Sequence, residues 1–396
     1  MQGRNLIVAM CLGQIGNLLP HVVVPAVMAQ HLIGAWGLSH AEAGLMAAAY
    51  AGGYMLAVPV LSALTDRHDA RRILLLGSGA SAVATIAFGL LAQGLGSALL
   101  LWGLAGVGFA GAYMPGLRAL TDRLHGSETS RAVTLYTASF SLGVGLSFAV
   151  SQAAAERWGW RSAFLITGAG PLLMLAVASR LRPLRPTPRG GSLLDFRPVL
   201  RNRPVMGYIL GYGAHCFELY GMRTWIVAFW AFMVAAHPAA GLPSPLVVSV
   251  GVTLLAMPAS IWGNELSLRF GRPRTIAAIQ IASAAVALAI GLAAGSAPWI
   301  VLLLVACYAI TVPADSGALT AGTSGCADPS HRGVTLALHS TVGFGLSALA
   351  GWGVGATLDA FGGAEQPLAW TAAFGVLAAG VLCGPLALRW ANAPRH

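Results

Sequence analysis

The side chains able to do chemistry in this chain are few, and most sit inside long apolar stretches. Gln14, Asn17 and His21 recur at i, i+3 and i+7 of one such stretch, a spacing that sets them along one face of a helix. An amide facing hydrocarbon would be left without partners, so the stripe must face a polar cavity or another helix. The first alternative makes the three residues solute contacts; the second makes them hydrogen bonds between helices. Tyr113 and Tyr136 offer hydroxyls in two further stretches, for the same cavity or for core packing.

A second set, His215, Glu218 and Arg223, shares another apolar stretch. His215 and Glu218 are three residues apart, close enough to pair. Arg223 lies five beyond Glu218, about 140° around a helix, so these two need not be partners. An Arg facing a cavity would bind an anion through two parallel hydrogen bonds; the other reading has it snorkel to the outer interface. Glu218 is a candidate proton carrier, because its charged form is costly in hydrocarbon. His339, about two turns into a later helix, is a second candidate or a satisfied structural group, since free histidine titrates near neutral pH.

Other chemistries find little support. The five cysteines, Cys11, Cys216, Cys307, Cys326 and Cys383, are scattered without metal or disulfide spacing. No His-Glu-x-x-His helix or comparable constellation occurs, so neither an enzyme nor a bound cofactor or metal is expected. Gly106-Val-Gly-Phe-Ala-Gly111 fits the dinucleotide-binding pattern, but that pattern needs a preceding strand and a later acidic residue. In a run rich in Gly and Ala it reads as close helix packing through small residues.

The elements that must position these residues follow from composition. Of 396 residues 57% are hydrophobic and 9% charged, and the mean hydropathy is +0.73. A soluble chain of this length would need about 25% charged residues, so lipid is the solvent for most of this one. Spanning helices need about 20 mostly apolar residues each. Twelve are expected, near 6–28, 42–64, 73–93, 98–120, 132–155, 162–180, 205–235, 245–267, 275–295, 298–320, 333–357 and 368–390. The fold class is therefore all-α integral membrane. No cleavable signal-peptide pattern precedes the first span.

All 23 basic residues are Arg, and the formal net charge is +10. They fall in short polar gaps and not on a basic face interleaved with aromatics, which argues against nucleic acid. With a cytoplasmic N-terminus, the inner gaps hold Arg67, Arg71, Arg72, Arg123, Arg131, Arg269, Arg272, Arg274 and Arg332. The central gap adds seven arginines from Arg180 to Arg203, and the outer gaps hold only Arg157 and Arg161. Both termini are thus expected in the cytoplasm, in a cell (inner) membrane. The Pro-, Gly- and Arg-rich segment 181–203 divides the chain into bundles 1–180 and 204–396. Within it, Leu193–Leu200 suits a short helix on the membrane surface or a plain basic linker.

The halves repeat each other. Arg131-Ala-Val-Thr-Leu135 matches Arg332-Gly-Val-Thr-Leu336; Gly143-Val-Gly-Leu-Ser147 matches Gly343-Phe-Gly-Leu-Ser347; Trp160-Arg-Ser-Ala-Phe164 matches Trp370-Thr-Ala-Ala-Phe374. The same order at an offset of about 200–210 residues predicts two six-helix bundles related by an axis along the membrane normal, with a cavity at their interface.

Between spans two and three the chain reads Ser62-Ala-Leu-Thr-Asp66-Arg67-His-Asp-Ala-Arg71-Arg72. This resembles the signature loop of the major facilitator superfamily, Gly-x-Leu-x-Asp-Arg-x-Gly-Arg-Arg, with Ser62 and Asp69 in place of its glycines. The second-half counterpart keeps Arg269-Phe-Gly271-Arg272 but has Leu268 at the acidic position. The resemblance implies a secondary transporter in which this loop latches the cytoplasmic gate. Asp66 sits at a helix C-terminus, where the dipole disfavours negative charge. It needs a partner such as Arg118 or the N-terminus of span eleven near Arg332. Asp315, after Thr311 and Pro313, is expected to pair with a gate arginine. The Arg-x-x-x-Gly and Gly-Pro motifs of drug–proton antiporters are absent: Trp102 precedes Gly106, and Ser141–Ser147 lacks the pair.

The resulting expectation is a monomeric, alternating-access transporter of a small polar, possibly anionic solute, coupled to protons through His215, Glu218 or His339. Efflux of a toxic or drug-like compound is the alternative within transport; a non-transporting scaffold or sensor is the alternative outside it.

Overall fold

The computed structural model describes residues 3–125, 127–184 and 195–393, in which every regular element is helical. Among the described residues eleven helices are long and apolar enough to cross a membrane, and twelve when the bent pair Gly3–Leu18 and Val23–Trp36 is counted as one span. Span one is α1 (Gly3–Leu18), then α2 (Val23–Val27), a π-helical turn (Met28–Leu32) and α3 (Ile33–Trp36), bent by 49°. Then come α4 (His40–Leu64), α5 (Ala70–Leu91), α6 (Leu95–Thr121) and α7 (Ser127–Trp158). Span six is divided into α8 (Trp160–Ala169) and α9 (Pro171–Ser179). After the short α10 (Arg197–Arg201) come α11 (Arg203–Ala236), α12 (Pro245–Phe270) and α13 (Arg272–Ala293). Span ten is α14 (Pro298–Ala314) with α15 (Ser316–Cys326), followed by α16 (Arg332–Ala360) and α17 (Pro367–Asn392). Of the surface helix anticipated over Leu193–Leu200, residues 193 and 194 lie outside the described residues, and the helix observed is α10.

Local sequence accounts for the helix ends. Proline occupies the first turn of α11, α12, α13, α14 and α17, where its missing N–H costs nothing. Side chains of Asp69, Asn202 and Ser244 accept from backbone N–H groups two or three residues on. At the other end of α5, Arg161 donates to the carbonyls of Gly89, Leu90 and Ala92.

The described residues form two compact units. One contains the residues up to Val27 and those from Ala49 to Leu184; the other contains Met28–Ala48 and the residues from Asp195 onward. Residues 28–48 thus group with the second unit and not with the other residues of the first six spans.

In the first unit the break in span one falls at Pro20, which has no N–H to give. Ser147 of α7 accepts from the Val22 N–H at 3.3 Å and donates to the Leu19 carbonyl, so the opened backbone is satisfied without water, as hydrocarbon demands. The Gly106–Gly111 run lies inside α6 with no strand before it, and its glycines serve packing. A methyl group at Gly106 would overlap the Tyr50 carbonyl, and one at Gly108 the Ser81 backbone.

In the second unit α11 packs on α17 through Phe229 against Trp370 and Phe374. It packs on α16 through Tyr220 against Phe344 and through the Trp225 indole N–H, which donates to the Gly351 carbonyl. The start of α4 is held to α16 by Asp359, which accepts from the His40 and Ala41 N–H groups at 3.0 and 2.8 Å and lies 2.7 Å from His40 Nδ1.

Replacing Gly106 by Ala should cost about 1–3 kcal/mol by overpacking, seen as a lower thermal unfolding midpoint in detergent. Gly52, where an added methyl group would meet nothing within 4 Å, should accept Ala with no loss.

Candidate solute and proton sites

In the first unit Gln14, Asn17 and His21 are all buried. Gln14 and Asn17 lie on α1, whereas His21 belongs to the break that follows it, so the regular helical stripe stops at Asn17. Gln14 Oε1 accepts from the Tyr136 hydroxyl at 2.7 Å, and that hydroxyl lies 3.3 Å from the Tyr113 carbonyl. The His21 ring is surrounded by Tyr50, Phe109 and Phe140, with centroids 5.1 to 5.4 Å away. Tyr113 stacks on Phe109 at 5.9 Å and meets Phe140 edge-on at 5.4 Å. The residues named from sequence therefore do meet: Tyr136 touches Gln14, and Tyr113 and His21 share Phe109 and Phe140. Gln14 Nε2 and both amide atoms of Asn17 are buried with no hydrogen-bond partner among the described residues. A buried amide so placed costs roughly 1–3 kcal/mol until a partner arrives.

In the second unit His215 and Glu218 do not pair; each takes a partner from another helix. Glu218 Oε1 accepts from the Ser283 hydroxyl at 2.9 Å and the Tyr308 hydroxyl at 3.0 Å. His215 Nδ1 lies 2.7 Å from Asp315 Oδ1, off the in-line hydrogen-bond direction, and both residues are 1% exposed. Gln280 Nε2 donates to Asp315 Oδ2 at 2.7 Å and to the Gly211 carbonyl at 3.2 Å. Asp315 is thus not paired with a gate arginine as expected. Its position between α14 and α15 puts it inside the unit, facing α11 and α13. His339 stacks on Tyr212 with centroids 3.7 Å apart, its Nδ1 is 3.2 Å from the Thr323 hydroxyl, and Tyr212 also stacks on His215 at 5.6 Å.

Arg223, 8% exposed, does not snorkel outward. Its guanidinium lies 5.0 Å from the Tyr220 ring centroid, and Nη1 is buried with no hydrogen-bond partner among the described residues. No ion pair to Arg223 occurs among the described residues.

Gln280, Ser283 and Tyr308 escaped the sequence reading. Gln280 and Ser283 stand at i, i+3 in an apolar run, the same spacing that drew attention to Gln14 and Asn17. Tyr308 stands seven before Asp315, on the same helical face.

The loop from α4 to α5 is tied down by carboxylates. Asp66 lies 3.3 Å from Arg118 Nη1, and Arg118 Nε donates to Asp122 at 2.8 Å. Asp69 accepts from the Arg71 and Leu184 N–H groups and from Arg123 Nη2, while Arg123 also donates to the Arg182 carbonyl. Arg71 caps α9 through the Ala178 and Ser179 carbonyls. Arg67, Arg72, Arg269 and Arg332 are exposed. Burial works to raise the Asp69 carboxyl, but the two backbone donors and the Arg123 guanidinium outweigh it and hold it below the ordinary carboxylate range.

A depressed carboxylate stabilises the fold above its unfolded value, about 3.9, and loses that contribution as pH falls through its lower folded value. Asp69→Asn should therefore cost about 1–3 kcal/mol near neutral pH and weaken the acid dependence of stability below pH about 4. Thermal unfolding of both proteins across that range checks this.

The sequence profile of the Major Facilitator Superfamily matches residues 10–263. The chain is 26% identical over 258 residues to the rat (Rattus norvegicus) voltage-gated purine nucleotide uniporter SLC17A9. That stretch covers 59% of this chain and 55% of the relative, so just over half the relative's length is matched. Among solved structures, a bacterial homologue of the human lysosomal transporter Spinster in an inward-facing, occupied conformation superposes with a TM-score of 0.73 at 20% identity. The superposition covers 98% of this chain and 94% of that one. The unoccupied inward-facing form gives 0.73 at 19% identity, over 98% and 95%.

Proposed function

The chain belongs to the Major Facilitator Superfamily, and on that premise we propose that it moves a small anionic solute across the membrane by alternating access, coupled to protons. The observation that carries the solute class is Arg223. A guanidinium buried in a span, with Nη1 lacking a partner, is an expensive arrangement unless an anion completes it. A carboxylate or phosphate would do so through charge-assisted, paired hydrogen bonds. The matched relative's name, a purine nucleotide uniporter, makes organic phosphates the first anions to try. In the first unit, taken by itself, Gln14 Nε2 and the Asn17 amide have no partner among the described residues and offer hydrogen-bonding groups to a polar solute, with the Tyr136 hydroxyl donating to Gln14 Oε1 beside them.

Proton coupling rests on the buried ionisable groups His215, Glu218 and His339, whose charged forms are costly in a span and which can change charge there by gaining or losing a proton. Orientation rests on the arginines, whose clustering in alternate gaps puts both termini in the cytoplasm of an inner membrane. In that orientation Asp66–Arg118 and Asp69–Arg123 lie at the cytoplasmic gate, with Arg67, Arg71, Arg72, Arg269 and Arg332 on the same side of the membrane. The aromatic rings around His21 suit a drug-like compound too, the reading that an export pump requires.

A ligand of the native state raises stability by about 2.7 kcal/mol at 100 times its dissociation constant. Thermal unfolding with ATP, orthophosphate, glutamate and tetraphenylphosphonium should show stabilisation by an anion. Arg223→Gln should weaken that anion at least about tenfold, some 1.4 kcal/mol. An equal shift in both proteins would remove Arg223 from the site, and stabilisation by the cation alone would favour efflux.

A further inference from the structure

Three buried carboxyl-bearing or imidazole groups compete for the role of proton carrier in the second unit, and their surroundings differ. Glu218 has one oxygen already engaged by two hydroxyls, neither of which titrates near neutral pH. His339 is pressed flat on the Tyr212 ring, with the Thr323 hydroxyl at its Nδ1. Asp315 is unlike both. One of its oxygens is fixed by an amide donor, and the other faces a titratable ring at 2.7 Å.

From this geometry we infer that Asp315 is the carboxylate that takes up the coupling proton, with His215 as the base that shares it and Gln280 as the residue that positions it. The inference rests on the proton-coupled reading above and names its site. With one proton between them, Asp315 Oδ1 and His215 Nδ1 form a neutral pair, either acid with imidazole or carboxylate with imidazolium. Without that proton the pair carries one negative charge. A neutral pair is tolerated in hydrocarbon and a net charge is not, so loading and unloading the proton changes which arrangement of the surrounding helices is favoured. The proton comes from water on one side and returns to water on the other; no bond other than O–H or N–H forms or breaks.

The position of Asp315 gives that charge change something to act on. It is the residue between α14 and α15, directly after Pro313 and Ala314. Pro313 has no N–H for the carbonyl four residues back, so the helix is weakened there. On the far side, α12 approaches so closely that a methyl group at Gly263 would overlap the Ala314 carbonyl. Motion at Asp315 therefore reaches α12 through backbone contact.

Gln280 is held from behind by the absence of a side chain at Gly384, where a methyl group would overlap its Oε1. Its amide can then donate to Asp315 and to the Gly211 carbonyl together. The ionisable groups that face the pair are Tyr212, Cys216 and Glu218 on α11 and His339 on α16, with Arg223 beside Cys216 and Tyr308 beside Glu218. The charges of α12 and α13 (Glu265, Arg269, Arg272, Arg274) lie at those helices' ends, as do Arg332 and Asp359 of α16 and Arg389 of α17.

Infrared difference spectroscopy of the purified full-length chain, titrated in pH without any solute, reads a protonated carboxyl directly. A titrating carboxylic C=O band should be present in the wild type, absent in Asp315→Asn, retained in Glu218→Gln, and restored at a shifted frequency in Asp315→Glu. The last variant keeps an acid and separates loss of the site from loss of the fold. Gln280→Leu should keep the band but move its midpoint by about one pH unit or more, which a merely structural residue would not do. Survival of the band in Asp315→Asn, or its loss in Glu218→Gln, overturns the assignment. In vesicles, Asp315→Asn should abolish ATP accumulation driven by a pH gradient while sparing ATP counterflow, which needs no net proton movement. A band assigned to Asp315 alongside wild-type transport indifferent to the gradient would leave the proton site standing and overturn the coupling reading alone.

Discussion

Hydrocarbon offers no water, so a polar group in a spanning helix must find its partner in the protein or carry a free-energy cost of several kcal/mol. That single requirement orders most of what is seen here. The break in span one exists because Pro20 cannot continue the ladder, and it is tolerated because Ser147 both accepts from Val22 and donates to Leu19. Gln280 divides its amide between a backbone carbonyl and Asp315 for the same reason. The requirement is unmet, among the described residues, at Asn17 and Gln14 Nε2 in the first unit and at Arg223 Nη1 in the second, as it is at several buried hydroxyls and at Gln280 Oε1. Of these, the buried guanidinium is the most costly to leave unmatched and is the group on which the proposed anion site rests.

The repeat shows how one ancestral pattern yields different devices. Ser147 and Ser347 occupy matching places in the two halves, yet only Ser147 bonds the backbone of another span, Ser347 meeting the Cys216 side chain of α11 instead. The counterpart of span one in the second half is α11, an unbroken helix of 34 residues, which leaves no opened backbone to satisfy. Ser347 accordingly turns back to the Gly343 carbonyl of its own helix. The charge-bearing chemistry has also separated: the buried carboxyls Glu218 and Asp315 and the buried Arg223 belong to the second unit, whereas the buried polar groups of α1 are the amides Gln14 and Asn17.

The fold was legible because its signal is long and redundant. Twelve apolar runs, their lengths and the glycines between large residues each point to the same helices, and the positions agree to within a few residues for spans such as α5 and α13. The partners of single side chains were less legible. Asp315 reads as a gate residue when only its rank in the chain is considered, because it stands toward the end of its span that leads into the loop before Arg332. Its actual neighbours, His215 and Gln280, are 100 and 35 residues away, and no local spacing encodes such a meeting. Likewise His215 and Glu218 have the spacing of a pair, but each finds a better partner on another helix. The grouping of residues 28–48 with the second unit had no local signal either, since it depends on Asp359 reaching the backbone of His40 and Ala41.

The central claim is that the buried Arg223 guanidinium holds a solute, and that the solute is an anion. Counterflow of radiolabelled ATP into vesicles containing the full-length chain tests it most directly, with orthophosphate, glutamate and tetraphenylphosphonium as competitors. Saturable ATP entry, suppressed by an excess anion and untouched by the cation, is the result this account predicts. Saturable movement of tetraphenylphosphonium with no uptake of ATP, orthophosphate or glutamate would contradict it.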